Sequence, residues 1–198
     1  MQRRIAFSPE FQQLRKDNPN AIGDFIRIYK SGMENGTIGG VTAKKLHEGG
    51  SFNISAWKVT VGGKHFFVKQ CRTDYDAIMS KEDGFTQFQV MEALPSVIKL
   101  WNFKHIEMGK CYLGLTNGST SFLVMDFYSL PTLENAENTP IIAMLKDEVW
   151  RFNKRLHNAY GMFVDYPWHV FIDTSVSRAI IIDPTYNLPF PPQPQTKT

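Results

Sequence analysis

The chain has 198 residues, with 22 Lys and Arg against 19 Asp and Glu and a formal net charge of +3. That length can bury a real core in one domain or two small lobes, and 15 Phe with 42% hydrophobic residues mark a globular chain, not a disordered one. No basic run exceeds two residues and no apolar run reaches membrane-spanning length, so neither a nucleic-acid partner nor a membrane is expected.

Residues 1 to about 32 read as helical. Ser8-Pro9-Glu10 is a helix start, with Ser as cap and Pro at the first helical position, and Phe11 and Leu14 give an apolar edge. Asn18-Pro19 interrupts, after which Ile22, Phe25, Ile26 and Tyr29 recur at helical spacing and Ser31-Gly32 ends the segment. These helices carry no evident chemistry and are expected to pack on the body. From Thr37 the pattern turns to strand: Val41–Leu46, Ser51–Val61 and Lys64–Cys71, the last two joined through Gly62-Gly63 as a tight hairpin. The first two are linked through a Gly49-Gly50-Ser51 segment, which is either a simple turn or a loop whose amides approach an anion. Phe66-Phe67-Val68-Lys69 places one Lys among apolar residues, nineteen positions after Gly50.

A helix follows, with Ser80 and Asp83 as a capping pair, Phe85, Phe88 and Met91 as its apolar face, and Pro95 after its end. Ser96–Ile106 reads as partly strand, with Trp101 and Phe103 alternating. Asn117-Gly118 marks a hairpin between Lys110–Thr116 and Ser121–Phe127. Thr139-Pro140 opens a long helix with Ile141, Leu145, Val149, Phe152 and Leu156 on one stripe. Past it, Val170-Phe171-Ile172 and Ala179–Ile182 form an apolar hairpin with Asp173 in its turn. Asp165 precedes this hairpin and Asp183 closes it. An unpaired buried carboxylate is too costly for a core, so both acids belong to a polar rim where a metal ion or cationic group could meet them. Residues 188–198 are too rich in Pro for helix or strand and read as an extended tail. Cys71 and Cys111 have no metal-binding spacing, and without a signal peptide the expected setting is a reducing cytoplasm.

Taken together, the glycine segment, the strand Lys, the helix, the hairpin, the long helix ending in Leu156-His157 and Gly161, the Asp165 loop and Ile182-Asp183-Pro184 resemble the protein-kinase-like superfamily. The likeness is to a minimal or atypical kinase with a reduced C-lobe. It implies an α+β, two-lobe fold: a helical extension over 1–36, an antiparallel N-lobe over 37–128, a reduced, mainly helical C-lobe over 129–187 and the tail. It also implies ATP and Mg2+ as cofactors and transfer of the γ-phosphoryl group to a hydroxyl of an unknown protein or small molecule. In this likeness Gly49, Gly50 and Ser51 cover the phosphates and Lys69 holds them. Met125 lies beside the adenine, and the backbone of Asp126, Phe127 and Tyr128 bonds the base. Asp183 binds the metal, and Asp165 acts on the acceptor hydroxyl. His169 stands at the second metal position, where the family has Asn, and Asp165 lies one residue closer to it than in the family. The family's helix offers a Glu to the strand Lys; here Glu82 and Glu92 are the acids available, and Gln87 lies mid-helix. The same residues also suit a nucleotide-binding pseudokinase that acts by binding a partner, or an unrelated α+β binding protein with Asp165 and Asp183 as surface acids.

Overall fold

The computed structural model describes residues 3–48, 53–73, 83–118, 120–164, 167 and 169–186. In chain order its elements are β1 (Arg4–Phe7), α1 (Pro9–Asp17), α2 (Ala21–Lys30), β2 (Asn35–Ile38), β3 (Val41–Glu48), β4 (Asn53–Val61) and β5 (Lys64–Cys71). Then come α3 (Gly84–Leu100), β6 (Ile106–Met108), β7 (Cys111–Asn117), β8 (Thr120–Asp126), α4 (Pro140–Tyr160) and the short strands β9 (Met162–Val164), β10 (Val170–Asp173), β11 (Arg178–Ile181) and β12 (Pro184–Tyr186). The fold class is the α+β one expected. Seven strands form an antiparallel sheet in the order β1-β7-β8-β5-β4-β3-β2.

Local chemistry accounts for the turns and caps. Gly62 and Gly63 both take positive φ, 56° and 79°, as a two-residue hairpin turn with the twist of its flanking strands demands. Ser8 and Thr139 cap α1 and α4, each accepting a backbone N–H from the first helical turn, with Pro at the following position.

Alternation along the strands splits the sheet into two faces. Trp57, Val59, Val61, Phe66 and Val68 face one way, where Phe11 of α1 and Ile28 of α2 join their core. Phe25 and Tyr29 of α2 meet Trp57 and Phe122 edge-on, with centroids 5.7 to 6.3 Å apart. Leu123, Met125 and Cys71 face the other way, into a core continued by Phe88, Met91, Leu94 and Ile98 of α3, by Leu145, Val149, Phe152 and Leu156 of α4, and by the β10–β11 hairpin. β11 pairs antiparallel with β10 and parallel with β6, while β9 pairs with β12.

Three local expectations are corrected. The first residues are not helical throughout: Arg4–Phe7 form a strand paired with Leu113–Thr116 of β7, a non-local pairing that a four-residue run does not announce. Pro95 does not end a helix but sits inside α3. It costs one backbone hydrogen bond, about 3 kcal/mol, but the buried stripe Met91, Leu94 and Ile98 runs across it and outweighs that loss. Ser96–Leu100 is therefore helix, Asn102 takes a left-handed conformation with φ 59°, and only Ile106–Met108 of that stretch is strand. On α4, Ile142 is buried in place of Ile141, which is exposed.

Helix α3 lies unusually close to the sheet because two residues lack side chains. A Cβ on Gly84 would stand 2.1 Å from the Phe122 carbonyl oxygen, and one on Gly114 would stand 2.4 Å from both the Gly84 oxygen and Phe88 Cβ. Gly114→Ala is therefore expected to destabilise by about 1–3 kcal/mol through overpacking. Gly23→Ala, in α2 with nothing within 4 Å of the added carbon, is expected to stabilise by about 0.4–1 kcal/mol. Urea denaturation of the two variants should give shifts of opposite sign.

Candidate functional site

Strand β5 carries Lys69 on the face that meets α3, where alternation puts it between Phe67 and Cys71. Helix α3 is set firmly at its start. Asp83 caps it by accepting from the backbone N–H of Thr86, while the N–H groups of Gly84 and Phe85 donate to the hydroxyls of Ser121 and Thr116. Arg4 of β1 reaches Asp83 at 3.2 Å. One turn on, the helix presents Gln87. Between β11 and β12 the chain delivers Asp183.

These three side chains close a triangle. Lys69 Nζ donates to Asp183 Oδ2 at 2.8 Å and, at a longer 3.4 Å, to Gln87 Oε1. Gln87 Nε2 donates to Asp183 Oδ1 at 3.3 Å. Lys69 is 4% exposed, Gln87 2% and Asp183 8%. Only this orientation of the Gln amide serves both neighbours, accepting from the cation and donating to the anion. A Glu here would set a second carboxylate against Asp183 and compete for the ammonium. His169 adds its ring, with Nδ1 3.5 Å from Asp183 Oδ2, and its carbonyl accepts from the Ile182 N–H at 3.1 Å. Lys69, Asp183 and His169, named from the sequence, thus meet in one place.

Gln87, the mid-helix candidate of the sequence, is the residue of α3 that meets Lys69. Its signal was its position: Gln87, Met91, Leu94 and Ile98 lie on one buried stripe, so a single polar group faces the core beside the Lys strand. Glu92 is not the partner. Glu82, Ser80, Gly49, Gly50, Ser51 and Asp165 lie outside the described residues. Around Asp165 the neighbours are informative. Val164 pairs with Pro184, and Asn153 of α4 holds both its backbone groups, accepting from the N–H at 2.7 Å and donating to the carbonyl at 3.3 Å.

Met125 is buried in β8 opposite Phe67 of β5. The N–H groups of Asp126 and Phe127 donate within the protein, to the carbonyls of Lys110 and His65. Asp126 accepts from the Tyr112 hydroxyl at 2.7 Å, Lys58 lies 4.4 Å over the Phe127 ring, and Tyr128 stands 5.6 Å from Phe171. Burial pushes the Tyr128 phenol up to about 12, so it stays protonated. Burial likewise pushes the Cys71 thiol up to about 12 and raises Cys111, so neither thiol supplies a thiolate at neutral pH.

Among the described residues no three of His, Cys, Asp and Glu gather as a ready metal cage. Among the described residues of the site Asp183 offers the hard carboxylate oxygens that Mg2+ takes, and one protein carboxylate with substrate phosphates is a common Mg2+ arrangement. The imidazole of His169 suits that ion poorly. The described residues therefore fit one Mg2+ on Asp183.

No protein-family model and no curated protein matches the chain. Among solved structures it is similar to a complex of Rio2 kinase from Chaetomium thermophilum with ADP/Mg2+ and phosphoaspartate, at 14% identity and a TM-score of 0.48, covering 81% of this chain and 50% of that one. It is also similar to the BubR1 kinase domain, at 13% identity and a TM-score of 0.43, covering 89% of this chain and 59% of that one. The chain thus spans only about half of the Rio2 structure and under two thirds of the BubR1 domain.

The triangle has an energetic signature. Removing one partner of a buried ion pair leaves the other charge uncompensated, typically at about 3–5 kcal/mol, whereas replacing both with apolar groups is often neutral. Lys69→Met is expected to lose stability of that order, and Lys69→Met with Asp183→Leu to regain most of it, as measured by urea denaturation of both variants. In the native protein both thiols should resist Ellman's reagent at pH 8, where their raised pKa keeps them protonated, and two should appear in guanidinium.

Proposed function

We propose that the chain is a minimal kinase-like phosphotransferase that moves the γ-phosphoryl group of ATP to a hydroxyl of a protein or small molecule. The observation that carries this reading is the Lys69–Asp183 contact at 2.8 Å, made by residues 114 positions apart in the order that the resemblance implies. In this reading the two lobes are the seven-stranded sheet with α3 and the smaller part around α4, and the setting is cytoplasmic.

Lys69 would release Asp183 and turn its ammonium to the α- and β-phosphates, a point charge suited to that role. Asp183, freed, would hold Mg2+, which when bound neutralises charge on the β- and γ-phosphates. The Asp165 carboxylate would accept the acceptor's proton as its oxygen bonds to the γ-phosphorus. The bond from that phosphorus to the bridging oxygen breaks, and ADP leaves with the electron pair. Gln87 would keep Lys69 in place through its Oε1 while Asp183 is engaged elsewhere. Met125, with Asp126, Phe127 and Tyr128, would bound the base, and Gly49, Gly50 and Ser51 would lie over the phosphates. Little covalent chemistry falls to the protein; most of the rate comes from positioning and charge.

A second reading rests on Gln87 and His169. At Gln87, Lys69 meets a neutral amide where the resemblance implies a carboxylate, and an imidazole replaces an amide at the second metal position. Both favour a pseudokinase that binds nucleotide and acts through a partner.

Thermal stabilisation by ATP separates the two. The phosphotransferase should show a Mg2+-dependent shift, and the pseudokinase a shift without metal; no shift in either condition overturns both. In a phosphotransfer assay Asp183→Asn should lose metal-dependent ATP binding and turnover together. Asp165→Asn should keep ATP binding and lose turnover by about a hundred- to ten-thousandfold, the usual span of a general base. Full activity in Asp165→Asn would move the base role elsewhere, Asp173 being the next acid.

A further inference from the structure

On the face of the sheet opposite Lys69, helices α1 and α2 do not close fully on the strands. They roof a cavity of about 180 Å3 whose floor is Val59, Val68 and Val124 and whose roof includes Leu14 and Phe25. Every lining side chain is apolar except Thr120. Protein interiors rarely leave a void larger than one water, and a dry apolar void of about 150 Å3 is large enough to take up benzene. Water gains nothing here, because a buried water needs several polar partners.

The cavity is open on one side. Its lining includes Ile22 and Ile26, one helical turn apart on α2 and 40% and 39% exposed, although helical spacing alone would have buried them with Phe25 and Tyr29. Ile5 of β1 pairs with Leu115, which lines the cavity, and is exposed as well. An apolar pocket whose opening is itself apolar suits a molecule that is hydrocarbon along its length and polar only at one end, left in water.

We propose that this cavity binds the hydrocarbon chain of a free, single-chain amphiphile of medium length, such as a fatty acid or fatty alcohol. Burial of the chain supplies the affinity, at one site per protein, and the head group contributes little because it remains solvated. The site stands apart from the Lys69–Asp183 triangle and does not depend on the phosphotransfer reading.

Isothermal titration calorimetry of the full chain with octanoate and with octanol, below their aggregation concentrations, tests this. Both should bind saturably with one-to-one stoichiometry and affinities within about threefold of each other. Val59→Phe, which fills the floor, should weaken both at least tenfold. Because a core substitution can unfold the protein, Ile26→Glu serves as a second variant: it puts a charge at the exposed rim and should weaken both ligands while leaving the melting temperature within a few degrees. Absence of saturable binding to the wild type, or wild-type affinity retained in Ile26→Glu, overturns the proposal. So does binding of the protein to phosphatidylcholine vesicles without binding to the free amphiphiles, which would make the face a membrane contact.

Discussion

The Lys69–Asp183 pair is the contact on which the arrangement of the rest depends, because it joins the sheet to the distal hairpin at a point where neither partner has much water to fall back on. Two charges removed from solvent repay that cost only when their remaining hydrogen-bonding capacity is met. Here Gln87 meets it, bonding to both. That requirement reaches outward. Gln87 arrives at the right height only because α3 lies flush on β7 and β8, and α3 lies flush only because Gly84 and Gly114 carry no Cβ. The caps at Asp83, Thr116 and Ser121 then fix where the helix begins. A pair of charges, an amide and two glycines form one chain of constraint.

Much of this was legible in the sequence wherever the cause is local. Gly62-Gly63, Asn117-Gly118, Ser8-Pro9 and Thr139-Pro140 set φ or satisfy terminal N–H groups within a few residues, and they lie where expected. The order of strand Lys, helix, hairpin and closing Asp was also readable, which is why Lys69, Asp183 and His169 could be named together. What escaped depends on distant partners. β1 becomes a strand only through β7, and Pro95 is tolerated because burial on both sides of it exceeds one lost hydrogen bond. Gln87 was readable as the mid-helix candidate, and a lone amide in an apolar stripe is a sign of a buried polar contact.

The two faces of the sheet answer to different demands. The face toward α3 holds the buried triangle of Lys69, Gln87 and Asp183 within the larger apolar core. The face toward α1 and α2 is held by aromatic edges between Phe25, Tyr29, Trp57 and Phe122 and is incompletely filled beside them. β5 belongs to both: Val68 borders the void and Lys69 the ion pair, on adjacent residues with opposite directions.

The pairing of β11 with β6 is parallel, and it brings Ala179 to Ile106 with β7, β8 and the whole of α4 between them in the chain. Together with the ion pair spanning 114 residues, it gives the molecule contacts of long sequence separation, the kind that slow folding. On the ribosome all seven strands of the large sheet precede α4 and the distal hairpin. At about 5–20 residues per second, Lys69 is synthesised about 6–23 s before Asp183 exists to receive it. Until α4 and the distal hairpin have followed, the face of the sheet that carries Leu123, Met125 and Cys71 lacks their cover. That exposure lasts for a time set by translation rate, not by the equilibrium stability of the finished fold.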